Sequence, residues 1–359
     1  MGDAIVGVVA NPLSGRDIRR LVTQASVFPT AEKANMIQRM LTAFGAVGVQ
    51  RVLLSTDLGG ISAAVYRAIQ RHRPQKPQNR QDARWPEVDF LDGQPIRQTA
   101  QDTVGAVGRM VTAGARVIVC LGGDGTARVA ASAAGDVPLL ALSTGTNNVF
   151  PAVREATIAG LAAGLVATGA MPPGGATTRA KLLEVRVGDR TETALVDVAV
   201  STQRHVGARA VWDPATVTQL FCAFAEPDAI GLSSVLGQLH PVTRHEPHGV
   251  TARLAAGAPR QVLAPIAPGL VVLVGVREIE PMHPGSVHAV DARAGVIAVD
   301  GERELTFGPG ERPAVRLRAD GPRCVDVSAV LAASARLGLL RRAAADLGPA
   351  GTDVKGGNT

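Results

Sequence analysis

Hydrophobic and polar positions follow two different patterns along the chain, and the change comes near Lys181. In the first part, short and mostly apolar runs alternate with longer amphipathic stretches, and the runs lie at 4–11, 49–55, 115–123 and 137–143. Unbroken apolar runs are typical of parallel strands buried on both faces, whereas amphipathic stretches predict helices. Strands and helices that alternate in this way predict a doubly wound parallel sheet.

After Lys181, strand-like segments are separated by turn signals such as GDR and DGE, which predicts a β-rich, antiparallel, sandwich-like region. One helix is predicted within it, over 214–225. The boundaries that follow are an α/β domain over 1–150, a β-rich domain over 151–326, a C-terminal helix over 327–347 and a disordered tail over 348–359.

The composition indicates which classes of binding partner to expect. The net charge is +6, but the arginines are scattered and aromatic residues make up only 3% of the chain, too few for base-stacking platforms. We therefore expect small phosphate-bearing substrates and no nucleic acid. The longest apolar region, 262–276, contains two prolines and two glycines and is too short to span a bilayer. With no signal-peptide pattern at the start, we expect a cytoplasmic protein without membrane contact.

Three glycine-bearing turns each follow an apolar strand: NPLSG at 11–15, GGDGT at 122–126 and STGTNN at 143–148. In an open parallel sheet, ligands bind beyond the carboxyl ends of the strands. Glycines let backbone N–H groups approach a phosphate, and the helix that follows adds a favourable dipole. One such turn would be an ordinary connection, but three at one sheet edge predict a phosphate site.

Two common phosphate motifs do not match. The chain has no G-x-x-x-x-G-K-[ST] sequence. The dinucleotide fingerprint G-x-G-x-x-G, placed on Gly123 and Gly125, meets Arg128 where a third glycine or alanine belongs. The site is therefore predicted to be neither a P-loop nor a standard Rossmann oxidoreductase site.

GGDGT after a strand, with TGTNN about twenty residues later, resembles the superfamily of NAD kinases, diacylglycerol kinases and related lipid kinases. Together with NPLSGRDIRR and DGERE, the pattern is most similar to the AcoX-type ATP-NAD kinase-like family, over about residues 4–330. The resemblance implies an active site between an α/β and a β-rich domain and a C-terminal helix that packs back on the first domain. It also implies a homo-oligomer, either a dimer or a tetramer.

The activity implied is transfer of a phosphoryl group from ATP, with Mg²⁺, to a hydroxyl, with NAD or a related metabolite as the acceptor. Such transfer needs positioning, charge neutralisation and an acceptor for the hydroxyl proton. Asp124, in GGDGT, could accept the proton or help to hold Mg²⁺. Glu302 is a rival base, by similarity to the lipid-kinase branch. The Asp-Gly step before it could equally be an ordinary hairpin turn, so both assignments stay open.

Further residues are assigned to binding the nucleotide or acceptor, from the turns and the resemblance together. They are Asn11, Ser14, Gly15, Lys33, Gly122, Gly123, Gly125, Thr126, Thr144, Gly145, Thr146, Asn147, Asn148, Asp197 and Asp300. Lys33 is included because lysine is scarce in this chain. No metal-ligand cluster is predicted: the closely spaced His240, His245 and His248 lie among prolines, which favours a surface loop.

One departure from NAD kinases bears on the acceptor. Val196 stands in ALVDVAV where those enzymes have an asparagine that holds the NAD ribose, and valine cannot make that hydrogen bond. Two alternatives are therefore kept open. One is a lipid or polyol kinase, and the other is a regulatory protein that senses NAD or ATP without catalysis.

Overall fold

The structure is a computed structural model that describes residues 3–15, 23–25, 28–72, 84–93, 95–145, 147–171, 173–203 and 210–341. Thr146 and the predicted tail at 348–359 lie outside the described residues.

The strands are β1 Ile5–Ala10, β2 Arg51–Ser55, β3 Glu87–Leu91, β4 Val117–Gly122, β5 Leu139–Ser143, β6 Thr177–Arg179, β7 Leu182–Val187, β8 Arg190–Ala194, β9 Asp197–Ser201, β10 Val217–Cys222, β11 Gly249–Leu254, β12 Arg260–Ala267, β13 Leu270–Met282, β14 Val287–Ala289, β15 Gly295–Val299, β16 Glu302–Phe307, β17 Ala314–Arg318 and β18 Arg323–Val325. The helices are α1 Thr30–Ala46, α2 Ile61–Arg71, α3 Ala100–Thr112, α4 Asp124–Ala134, α5 Ala156–Ala167, α6 Pro173–Ala176, α7 Ser233–Gly237 and α8 Val327–Leu337.

A seven-stranded sheet organises the first part of the chain, in the order β3-β2-β1-β4-β5-β18-β6. Strands β1 to β5 pair in parallel, which confirms the predicted parallel sheet. The strand order changes direction at β1, because β2 and β3 lie on one side of it and β4 and β5 on the other. The carboxyl ends of β1 and β4 therefore form the crevice in which ligands of such sheets bind.

Helices cover both faces of this sheet, as its unbroken apolar strands require. Within β1, alternate side chains enter different cores. Ile5 and Val9 pack with residues of α3 and α4, whereas Val6 and Val8 pack with residues of α1 and α5. Because successive side chains of a strand point to opposite faces, one short apolar run can pack against the helices on both sides of the sheet.

The second part of the chain forms two antiparallel sheets, as predicted. One has seven strands in the order β12-β13-β11-β10-β9-β15-β16, and the other has four in the order β14-β17-β7-β8. Their facing side chains, such as Val185, Val198 and Val315, belong to the same apolar core as Cys120 of β4 and Ala127 of α4. The β-rich region therefore shares an apolar core with the side of the parallel sheet that carries α3 and α4.

The prediction of a helix over 214–225 is wrong. That segment is a single 3-10 turn, Pro214–Thr216, followed by strand β10. Strand β10 pairs with β9 on one side and β11 on the other, and Leu220, Phe221 and Cys222 are completely buried. A central strand buried on both faces has an unbroken apolar run, and periodicity cannot distinguish such a run from a buried helix.

Helix α5 packs against α1, although the predicted boundary at residue 150 precedes it. A Cβ on Gly160 would lie 2.9 Å from the Cβ of Ala43, so the missing side chain allows the close approach of the two helices. Strands β6 and β18 also join the parallel sheet, and α8 contacts α5. The first packing unit thus extends beyond residue 150, while the division into domains stays a prediction. Among the described helices, none has the length and apolar character needed to cross a membrane.

Candidate functional site

The three glycine turns meet at the carboxyl edge of the parallel sheet and are joined by hydrogen bonds. The backbone N–H of Asn11 donates to the carbonyl of Leu121 at 2.9 Å, and that of Thr144 donates to Gly122 at 3.0 Å. The side-chain amide of Asn11 donates to the hydroxyl of Thr126 at 2.9 Å. The edge is therefore one connected surface built from all three predicted turns.

Ser14 and Thr144 join the first turn to the third. Both are buried, their hydroxyl oxygens lie 2.9 Å apart, and the Ser14 hydroxyl also lies 3.3 Å from the Thr144 carbonyl. Gly15, directly after Ser14, has a φ of 81°, in the left-handed region that favours glycine. Ser14 and Thr144 thus set the relative position of the turns.

Lys33 is buried behind the first turn and hydrogen-bonded to it, while its expected contact with phosphate stays a prediction. It lies on α1, is only 1% exposed, and its ammonium group donates to the carbonyls of Asn11 at 2.9 Å and Ser14 at 3.1 Å. A buried ammonium needs such acceptors, because burying an unpaired charge is costly. Lys33 therefore supports the first turn from behind.

The Asn148 side chain packs closely against the backbone of two glycines. A Cβ on Gly123 would lie 2.8 Å from Oδ1 of Asn148, and one on Gly145 would lie 2.6 Å from the same side chain. The Asn148 amide itself donates to the hydroxyl of Ser143 at 2.8 Å. Asn148 thus fills the space between the second and third turns.

Asn147 connects the edge to the β-rich region. Its side-chain amide donates to the carbonyl of Ile266 in β12 at 3.2 Å. The expected assignments of Asn147 and Asn148 to nucleotide binding stay predictions, and Thr146 lies outside the described residues.

Asp124 is the first residue of α4 and is buried, with 8% exposure. Its carboxylate accepts hydrogen bonds from the backbone N–H groups of Val149 at 3.0 Å and Phe150 at 2.8 Å. These are the residues that follow TGTNN, so the carboxylate ties the second turn to the third. The proposed base is therefore also a structural acceptor.

Glu302 approaches the second turn from the other side of the cleft. It begins β16, directly after the β15–β16 turn, and is half-buried. One of its carboxylate oxygens lies 3.4 Å from the position that a Cβ on Gly125 would occupy. The absence of a side chain at Gly125 thus lets this carboxylate reach the turn that was predicted to bind phosphate.

Asp300 is completely buried at the same hairpin and has a φ of 49°. Its carboxylate accepts from the backbone N–H groups of Leu195 at 3.0 Å and Val196 at 2.8 Å. Burial raises the pKa of Asp300 to about 6, against the opposing effects of the Arg128 charge and these hydrogen bonds. The carboxylate of Asp300 therefore holds the turn between β8 and β9, and its expected contact with a cofactor stays a prediction.

Asp197 lies beside that turn, as the first residue of β9, and is 5% exposed. It pairs across the sheet with Cys222, and its charge adds to the burial that raises the pKa of the Cys222 thiol. The side chain of Val196 is 1% exposed and offers no polar group to a ligand. Among the described residues, no cluster of three or more metal-ligating side chains is present.

Arg128 was considered in the sequence only as a mismatch to the dinucleotide fingerprint. In the structure its guanidinium lies 2.9 Å from a carboxylate oxygen of Glu304, 3.3 Å from Glu192 and 3.6 Å from Asp300. The signal that could have found it is its position one helical turn after Asp124, which places it toward the cleft.

Comparisons with known proteins agree with this architecture. Residues 6–170 match the family model of the ATP-NAD kinase N-terminal domain, and residues 181–320 match that of the acetoin catabolism protein X C-terminal domain. Over 344 residues the chain is 41% identical to acetoin catabolism protein X of Cupriavidus necator, covering 94% of each sequence. The chain belongs to the acetoin catabolism protein X (AcoX) family.

This AcoX family member has the NAD kinase-like fold and is a kinase-type phosphotransferase at the level of the superfamily. Among solved structures, it is similar to a protein from Bacillus anthracis str. Sterne described as a candidate diacylglycerol kinase, at 10% identity and a TM-score of 0.45. That similarity covers 90% of this chain and 97% of the other.

The kinase domain implies ATP-dependent chemistry, generally with a divalent metal. The donors at this site fit a Mg²⁺ held largely by the substrate, because Mg²⁺ in kinases takes one or two carboxylates together with phosphate oxygens. Glu302 is the carboxylate that the structure places against the second turn. When bound, the ion would neutralise charge on the phosphates.

Proposed function

We propose that the protein transfers the terminal phosphoryl group of ATP to a hydroxyl of NAD or a related small metabolite. The observation that carries the proposal is the meeting of three glycine turns with the Glu302 carboxylate, 3.4 Å from the Cβ position of Gly125. One side supplies backbone donors for phosphate, and the other supplies an acceptor for a proton.

The phosphates of ATP would lie along the second turn, over the amino terminus of α4. There the backbone N–H groups are unsatisfied within the helix and the helix dipole favours negative charge. The first and third turns would close the phosphate site on either side, because hydrogen bonds already join them to Gly122 and Thr126.

Glu302 would accept the proton of the attacking hydroxyl. Asp124 was the first candidate, but its carboxylate already accepts from Val149 and Phe150, which supports a role in holding the phosphate turn. Glu302 lies across from the second turn, and an acceptor bound between them would be placed for in-line transfer.

Two other functions are supported by specific observations. The NPLSG turn and Glu302 favour a lipid or polyol kinase, by their similarity to that branch of the superfamily. The apolar, buried side chain of Val196 favours a protein that senses NAD or ATP without catalysis, because it removes a ribose-binding group.

A thermal-shift screen followed by a product assay separates these functions. The purified protein with Mg²⁺ is tested with ATP alone and with ATP plus NAD, NADH, acylglycerols or small diols. Stabilisation by ATP and one acceptor, followed by formation of a phosphorylated product, identifies a kinase and its substrate. Stabilisation by one nucleotide without turnover identifies a sensor, and turnover of acylglycerols or diols alone identifies the lipid or polyol kinase.

We further propose that the protein is a cytoplasmic homo-oligomer. Light scattering coupled to size-exclusion chromatography measures the mass directly, and a mass of one 37.0 kDa chain would contradict the oligomer.

A further inference from the structure

We propose that Arg128 is a positioning residue that locks the β15–β16 hairpin onto α4 and thereby sets the Glu302 carboxylate at the phosphate turn. The role of Glu302 in this inference rests on the proposed function, whereas the lock itself does not.

Two pairs of residues connect α4 to β16. Gly125 and Arg128 are three positions apart and lie on one face of the helix. Glu302 and Glu304 lie where the register of β16 against β15 shifts, and both side chains reach α4. Glu302 lies against Gly125, while Glu304 accepts from Arg128 at 2.9 Å. The contact between Arg128 and Glu304 therefore fixes the position of β16 along α4, and with it the position of Glu302 against Gly125.

Arg128 also contacts the turn on the other side of Glu302. Its Nε lies 3.6 Å from Oδ2 of Asp300, and Asp300 in turn accepts from the backbone of Leu195 and Val196. Glu302 is thus held between two neighbours, Asp300 and Glu304, that share one guanidinium. A shift of the hairpin along α4 would break both contacts at once.

The charges explain why the arrangement is specific. The Arg128 side chain is 9% exposed and that of Asp300 is completely buried, so neither charge can be satisfied by water. Glu192 of β8, 3.3 Å away, adds a third carboxylate from the β-rich region. A planar guanidinium can donate to several carboxylates at fixed angles, whereas a lysine ammonium acts as a point charge. Arg128 of the α/β region thus contacts β8, the β15–β16 turn and β16 of the β-rich region.

The test compares Arg128→Met with Arg128→Lys, and uses Arg253→Met as a matched control. Arg253 also pairs with two carboxylates, Glu278 and Asp291, but all three lie within the β-rich region and are about half exposed. Hydrogen exchange is measured across the full chain, and kcat and the KM for ATP are measured with the acceptor found by the screen.

We expect Arg128→Met to raise the exchange of 195–197 and 300–304 at least about tenfold, with β1, β4 and β5 unchanged. The kcat should fall at least about tenfold while the KM for ATP changes less than about twofold. Arg128→Lys should recover part of kcat, and Arg253→Met should change neither segment nor kcat.

Unchanged exchange in 195–197 and 300–304 would overturn the lock, and a wild-type kcat in Arg128→Met would overturn the positioning of Glu302. If wild-type protein turns over no acceptor, the proposed function fails, and exchange alone still decides the lock. Should Arg128→Met not fold, Glu304→Gln removes the charge of the 2.9 Å partner and must give the same exchange pattern.

Discussion

The two walls of the cleft use opposite chemistry. The wall formed by the parallel sheet presents glycine turns whose polar side chains are largely engaged with one another, as in the contacts of Asn11 with Thr126 and Ser14 with Thr144. The β-rich wall presents carboxylates on a hairpin, with Glu302 the nearest to those turns. Backbone donors suit an anionic phosphate, while carboxylates suit a proton or a metal ion.

A buried aspartate organises each wall in the same way. Asp124 accepts from consecutive N–H groups of Val149 and Phe150, and Asp300 accepts from those of Leu195 and Val196. Each carboxylate ties its own segment to a neighbouring turn. The two acidic residues most prominent in the sequence motifs thus hold the walls through backbone hydrogen bonds, whereas the half-buried Glu302 carboxylate lies against the second turn.

Glu302→Gln is expected to have the largest effect on activity. Removing the general base should lower kcat about 10²–10⁴-fold. The melting temperature should stay within about a degree or two, since Glu302 is half-buried. Steady-state kinetics measure the loss, and Glu311→Gln, which changes an exposed carboxylate paired with Arg190, is the control. A fully active Glu302→Gln protein would move the base to Asp124.

Asp124→Asn is expected to act on stability as well as activity. The asparagine amide keeps one acceptor oxygen, but it lacks the negative charge that strengthens the hydrogen bonds from the Val149 and Phe150 N–H groups. The free energy of unfolding should therefore fall by about 1–3 kcal/mol. Urea denaturation monitored by circular dichroism measures this change. Unchanged stability with abolished activity would show that Asp124 is the base and not a structural acceptor.

Lys33→Met should destabilise the protein by a similar or smaller amount, about 1–3 kcal/mol, because carbonyls of the first turn lose their donor. The affinity for ATP, measured on the folded protein by calorimetry, should change by less than about tenfold. A complete loss of ATP binding in a protein of normal stability would restore the role in phosphate binding expected from the sequence.

An effect confined to a window of pH is expected from Asp300. Its pKa is about 6 in the folded protein, above its ordinary value, so between about pH 4 and 6 the folded state holds a proton that the unfolded state has lost. This contribution to stability is therefore full at low pH and is lost as the pH rises through 6, with a slope of up to about 1.4 kcal/mol per pH unit.

Asp300→Asn should remove this slope, as measured by urea unfolding at several pH values. The charged groups that face Asp300 are Arg128, directly, and Glu192 and Glu304 through the shared guanidinium. Identical pH profiles for the wild type and the variant would contradict the raised pKa.

Much of the fold could be predicted because local pattern and packing agree there. Val6 and Val8 lie in an unbroken apolar run, and such a run is buried on both faces in a parallel sheet. The segment 214–225 could not be predicted correctly, because the same apolar character suits a strand between β9 and β11 or a buried helix. Only the neighbouring strands decide between them.

The site shows the same division. Glycine turns that directly follow apolar strands predicted the edge at which the three turns meet, because the order of strand and turn is visible in a few consecutive residues. The direction of a long or charged side chain is set by distant parts of the chain. Lys33 donates to backbone carbonyls of the first turn, and Arg128 reaches three carboxylates up to 176 positions away. No spacing rule predicts such contacts.

By itself the sequence determined the parallel sheet, the antiparallel region after Lys181 and the three turns, because apolar periodicity and glycine conformation act over a few residues. The tertiary structure alone decided which acidic group faces the turn that is predicted to bind phosphate. Burial and backbone donors engage Asp124 and Asp300, and the packing of β16 on α4 brings Glu302 to Gly125. The energy of a charge depends on its surroundings, and those surroundings come from distant segments of the chain.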